Sequence, residues 1–212
     1  MFLRHHKITL KITPVSSFQK PFYLWRWIFI KSNKMLIKFF YRLFFYIFVK
    51  PYKNLKRKYY TYLVACMAKK VGSGLKVNGR SCVSRNTILG NNVNFNGLRI
   101  QGHGVVVIGD NFHSGPGCLI MNSYHNYDKG TAIPYDSTYI HKDVTIEDNV
   151  WLGSNVTILG GVTIGEGAII QIGSVVVSDI PPLAIAGGHP ARVYKYRNKE
   201  HYFTLKQEGK FH

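Results

Sequence analysis

The segment Ser123-Tyr124-His125-Asn126-Tyr127 concentrates the groups in this sequence best suited to moving a proton. Imidazole changes charge near neutral pH, so His125 fits the task of taking a proton from a hydroxyl group and returning it later. A zinc centre of three histidines built around an HxxxxH pair is excluded here, because position 130, five residues on, is glycine. Cys66, Cys82 and Cys118 show no CxxC or CxxH spacing, which excludes a disulfide framework or zinc cluster and fits a reducing compartment. His103, His113 and His141 read as surface residues, with His103 the best placed of the three to touch a bound molecule.

The elements that position His125 show themselves as a six-residue metre on either side of it. Aliphatic residues recur at Ile140, Ile146, Leu152, Ile158, Ile164, Ile170 and Val176, and Val144, Val150, Val156, Val162, Ala168 and Ser174 follow four places after. Between them stand Asp143, Asn149, Asn155, Gly161, Gly167, Gly173 and Asp179, the residue types that best tolerate positive φ and so turn the chain. Strands this short with a corner every six residues cannot form hairpins, and the pattern predicts a mainly β protein, a parallel β-helix. A looser metre runs upstream through Val71, Val77, Val83, Leu89 and Phe95, and resumes one residue out of phase at Ile108, Ser114 and Ile120. Residues 121–139 lack the metre and read as a loop that leaves the β-helix and carries His125. "DIPPLAIAGGHPARVYKYR" ends the metre, since two prolines cannot sustain a strand ladder.

The net charge of +18 is unevenly placed: residues 1–109 hold 20 Lys or Arg and no acid, whereas residues 110–212 hold 8 basic and 10 acidic residues. The first residues lack the unbroken apolar core of a signal peptide, so the chain is expected on the cytoplasmic side. "FYLWRWIFI" and "MLIKFFYRLFFYIFV" are too short and too charged to span a bilayer. On a helix, Lys31, Lys34, Lys38 and Arg42 gather on one side and Phe39, Phe40, Leu43, Phe44 and Ile47 occupy the rest. Residues 20–60 are thus expected to make peripheral contact with the inner face of the cytoplasmic membrane. Packing of the aromatics against the main domain or a neighbouring subunit is the alternative. No recognition motif supports nucleic acid as a partner. Pro51 is expected to end this helix, with a second basic segment leading into the repeat.

The run "VTIEDNVWLGSNVTILGGVTIGEGAIIQIGSVVVSDIPPLAIAGGHPARVYKYR" resembles the hexapeptide-repeat acetyltransferases, in particular the galactoside, maltose and xenobiotic group and the bacterial capsule and O-antigen O-acetyltransferases. The resemblance covers about residues 71–197. It implies a left-handed parallel β-helix, a homotrimer, and acetyl-CoA as co-substrate in a groove between subunits, without a metal. The chain is expected in three parts: a basic, aromatic-rich helical segment over 1–70, the β-helix over 71–180 with its loop at 121–139, and a C-terminal coil or helix over 181–212 that completes the coenzyme site.

Carried over residue by residue, the resemblance makes His125 the catalytic base, within a motif of the form S-x-H-D/N-Y. Asp128 is a candidate to orient it, and a backbone N–H within Trp151–Ser154 is a candidate oxyanion donor. Trp151, Tyr124, Tyr127, His103 and Asn96 are expected around a carbohydrate acceptor. Gly153, Ser154, Ile172, Val177, Ser178, Arg192 and Lys195 are expected to line the coenzyme groove, Arg192 and Lys195 as basic partners for phosphates. Two positions depart from the family pattern: Ile172 replaces a small alanine and Ser178 a lysine, which narrows the groove and removes one phosphate contact. The implied reaction is O-acetylation of a sugar hydroxyl in a bacterial surface polysaccharide or its lipid-linked intermediate. N-acetylation of an amino sugar nucleotide and a non-catalytic membrane-docked trimer are the alternatives.

Overall fold

The computed structural model describes residues 34–212. Lys31, in the basic helix face read from the sequence, lies outside the described residues, as do residues 20–33 of the expected membrane contact. The chain divides into two units, Met1–Pro51 and Tyr52–His212. In the first, residues 34–44 are α-helical and Phe45–Val49 form a π-helical turn. Among its described residues most large apolar side chains, Met35, Phe39, Phe40, Phe44 and Phe48 included, are exposed. Pro51 does not end the helix. An α-helix runs on over Lys50–Met67 directly from the π-turn, and Pro51, which has no N–H to give to the carbonyls of that turn, leaves one gap in an otherwise continuous ladder. The π-turn absorbs the transition, with the Lys50 N–H donating to the Phe45 carbonyl five residues back.

Three sheets of five, seven and four strands, parallel but for the last strand of the seven, form the body of the second unit, and up to Val176 the coil's strands pass in turn from one sheet to the next. The six-residue metre is thus one side of a three-sided coil. Its aliphatic positions stack in register from coil to coil: Leu89, Ile108, Ile146 and Ile164 in the five-stranded sheet; Ile100, Ile120, Ile158 and Val176 in the four-stranded one. Ile146, Leu152, Ile158, Ile164, Ile170 and Val176 have no exposed surface. Burying each contributes about 1.5–3 kcal/mol before chain entropy opposes it.

Corners form as their residue types require at Asn92, Asn111, Asn149 and Asn155, with φ between +52° and +60°, and at Gly117, Gly161, Gly167 and Gly173. Asn92, Asn111 and Asn149 pass side-chain hydrogen bonds of 3.0 Å along their edge. Asp143 and Asp179 are absent from the positive-φ positions and act differently, each accepting a backbone N–H from a neighbouring coil, of Val105 and Thr163 respectively, at 2.7 Å.

Two further departures matter for the site. Ile140 keeps the beat but is no rung of the coil; it lies on Tyr139–His141, which pairs antiparallel with Ser123–His125. The sheet also outlasts the metre. Pro181 and Pro182 lie against Gly165 at the corner, Leu183 takes φ +60°, and Ala184–Gly188 rejoins the seven-stranded sheet beside Ile169–Ile170. Ala191–Tyr196 then turns back along it.

Candidate active site

The loop at 121–139 is a β-ribbon rooted at the corner between the four-stranded and five-stranded sheets. Its root is tight. Gly102 has φ +120°, and a Cβ there would stand 2.2 Å from Asn122 Oδ1 and 2.4 Å from Ser123 Oγ, so glycine alone fits. Ser123 Oγ accepts the His103 N–H at 2.8 Å and lies 2.6 Å from His141 Nδ1, tying the ribbon to the preceding coil. At its tip, Asp136 accepts the N–H groups of Thr131 and Thr138 at 3.0 and 2.9 Å.

His125 faces Tyr139 across the ribbon, and its half-buried ring is sandwiched there. The Tyr135 ring stacks on it at 3.8 Å between centroids and 14° between planes, while Tyr139 lies at 4.4 Å. Nδ1 is enclosed and has no hydrogen-bond partner among the described residues, so Asp128 does not orient it. Tyr139 also stacks parallel to His141, which meets His103 edge to face at 5.6 Å. His103 and His125 therefore belong to one line of rings. Tyr124 and Tyr127 pack together at 6.4 Å, with Lys142 Nζ 5.6 Å from the Tyr124 ring centre.

The remaining expected residues lie elsewhere on the coil. Gly153, Ser154 and Ile172 meet at the corner between the seven-stranded and four-stranded sheets, where the Gly173 N–H donates to the Ser154 carbonyl at 2.9 Å. A Cβ on Gly153 would stand 2.6 Å from the Ile172 nitrogen, which explains glycine before the serine. Trp151 and Gly153 give their N–H groups to the carbonyls of Ala168 and Ile170; the Ser154 N–H has no acceptor among the described residues. Cys118 Sγ donates to the Gly153 carbonyl at 3.1 Å, and burial raises its thiol pKa, which marks it as a packing residue.

Ile172 and Val177 expose apolar surface, and Ser178 is exposed where the chain leaves the four-stranded sheet toward the ribbon corner. Arg192 pairs with Gly187, which lies against Gln171, and Lys195 pairs with Ile185 on the same antiparallel strands; both basic side chains are exposed. Trp151 is half exposed on the seven-stranded sheet, between His113 and Ile169. Asn96 is occupied at the serine corner, donating to the Ser114 carbonyl at 2.8 Å and accepting from Asn78 at 3.0 Å.

One chain thus brings His125, His103, Tyr124 and Tyr127 together at one edge of the four-stranded sheet. It collects Gly153, Ser154, Ile172 and Arg192 near the other. Sequence reasoning missed Tyr135, Tyr139 and His141 as neighbours of His125. Tyr139 and His141 alternate as strand residues do, but Ile140 between them fell on the metre and masked that signal.

A three-sided parallel coil with a histidine on an excursion ribbon and a glycine-serine corner defines a hexapeptide-repeat transferase scaffold. The family "Bacterial transferase hexapeptide (six repeats)" matches residues 143–178. Galactoside O-acetyltransferase of Escherichia coli K12 is 37% identical over 113 residues, 52% of this chain and 54% of that one. A galactoside acetyltransferase solved in complex with coenzyme A superposes with a TM-score of 0.58 at 30% identity, over 72% of this chain and 84% of that one. A hexapeptide-repeat acetyltransferase of Vibrio cholerae gives 0.56 at 28% identity, over 65% and 79%. The chain belongs to the hexapeptide-repeat acetyltransferase family. In the sequence matches it spans about a quarter to a half of the length of its curated relatives.

Proposed function

We propose that the protein transfers an acetyl group from acetyl-CoA to a sugar hydroxyl, with His125 as general base. The observation that carries this reading is the imidazole held between Tyr135 and Tyr139 with Nδ1 enclosed and Nε2 left as the working nitrogen. Nε2 takes the proton as the acceptor oxygen bonds to the thioester carbonyl carbon. The C–S bond then breaks, and the departing sulfur recovers the proton from His125. Charge that gathers on the carbonyl oxygen needs a fixed donor, and the uncommitted Ser154 N–H is a suitable one.

The donor set fits coenzyme A. Exposed Ile172 and Val177 suit the apolar pantetheine arm, and Arg192 and Lys195 suit its phosphates. The ribbon and the serine corner lie at opposite edges of one sheet, which supports a homotrimer whose sites form between adjacent subunits. A base at Nε2 requires the proton on Nδ1, where an enclosed unpaired N–H costs about 1–3 kcal/mol; an acceptor from the next subunit would remove that penalty.

The acid-free first half of the sequence favours an acceptor presented at a membrane, a bacterial surface glycan or its lipid-linked intermediate on the cytoplasmic side. The test is incubation with acetyl-CoA and candidate glycans, followed by mass spectrometry. The expected product gains one acetyl group and loses it in mild alkali, as an ester does. An alkali-stable product would establish N-acetylation instead, and no transfer alongside no coenzyme binding would overturn the reading.

A further inference from the structure

The helix Lys50–Met67 has two unlike faces. One packs on the coil: Val64 is fully buried, Tyr60 lies against the core, and Thr61 Oγ1 accepts the Val77 N–H at 3.0 Å. Tyr52, Leu55, Tyr59 and Tyr62 fall within about 80° of one another on the opposite face, at about 100° per residue. Their exposures are 64, 68, 57 and 67%, so a continuous aromatic and aliphatic stripe points away from the protein's own core.

The spacing of that stripe would also serve a helix pairing with its own copy, and the charges decide between the two occupants. In heptad terms, the flanking positions that meet across a homotypic seam are Lys56 and Lys58, with Lys53 and Arg57 beyond them. Residues 34–109 contain no acid, so two copies would set lysine against lysine. Beside the stripe, Arg57, Lys58 and Lys76 join Thr61, Tyr62 and Leu75 around a shallow cavity of about 460 Å³. Cations around a shallow, mainly apolar pocket next to exposed tyrosines match the chemistry of a phosphate headgroup above acyl chains. Among the described residues no helix is long and apolar enough to cross a bilayer.

We infer that this face seats on an anionic lipid bilayer, with the tyrosines at headgroup depth and Lys56 and Lys58, which flank the stripe, on lipid phosphates together with Lys76. The inference does not depend on the catalytic reading. It is tested by co-sedimentation of the full-length protein with phosphatidylcholine vesicles with and without phosphatidylglycerol. Binding is expected only to the anionic vesicles and should weaken as salt is added. The double variant Lys56→Glu/Lys58→Glu should lower partitioning about 30-fold or more, and Tyr52→Ser/Leu55→Ser/Tyr59→Ser should lower it comparably, with the thermal melt unchanged. Equal binding to neutral vesicles would overturn the inference. So would variants that bind like the parent, which would leave the interaction to other segments, or a stripe variant that changes the oligomeric state, which would make the face a subunit seam.

Discussion

His125 was legible because its neighbours Ser123, Asn126 and Tyr127 form a short motif in a stretch that breaks a strict metre. Its clamp was not legible. Tyr139 reaches the imidazole only because the two strands pair with Tyr139 opposite His125, and Tyr135 arrives through the turn beyond. Their parts can be separated by kinetics. His125→Ala should lower kcat by about 10² to 10⁴ with acetyl-CoA binding retained, as measured by steady-state assay and calorimetric titration. Tyr135→Leu keeps the proposed base but loses a stacked contact of about 0.5–1.5 kcal/mol. A kcat lowered about 3- to 10-fold with unchanged coenzyme affinity is expected, and a KM effect alone would assign Tyr135 to the acceptor instead.

At the scale of elements, the ribbon depends on its root and the C-terminal helix on one carboxylate. Gly102→Ala places a Cβ against Asn122 and Ser123 at a φ of +120°, a strain of the order of 1–3 kcal/mol. Tm and activity should both fall, because the shifted root carries His125. The helix Lys199–Gln207 is held through Glu166, whose Oε1 accepts from Lys206 Nζ at 2.5 Å and from the buried Tyr202 hydroxyl at 2.8 Å. Burial raises the Glu166 carboxyl pKa, but these donors, with Asn149, outweigh burial and hold it below its ordinary value. With the folded pKa below the unfolded one of about 4.3, the stabilisation is complete above that pH and disappears as pH falls through the folded value. Thermal melts in acid should show this loss, and Glu166→Gln should flatten the acid slope while lowering Tm near neutrality. None of this was visible in the sequence beforehand, since Glu166 and Tyr202 stand 36 residues apart.

The whole molecule was readable where the period is strict and unreadable where topology joins distant coils. Asn149, Asn155, Gly161 and Gly167 turn as their types require, because a three-sided coil repeats one local geometry. That Ala184–Gly188 rejoins the sheet after two prolines follows from the stacking of a whole coil, which no local pattern encodes. The separation of His125 from Ser154 is likewise a property of the coil, and it makes the proposed trimer testable. His125→Ala removes the proposed base, and Ser154→Phe fills the proposed coenzyme groove with an aromatic ring; each variant should be inactive alone. When the two are co-refolded in equal amounts, a site shared between subunits is intact only if one neighbour supplies His125 and the other Ser154. Random mixing makes that about one site in four, so about a quarter of the parental activity should return. If a single chain carried both halves of its own site, every site would retain one lesion and the mixture would stay inactive.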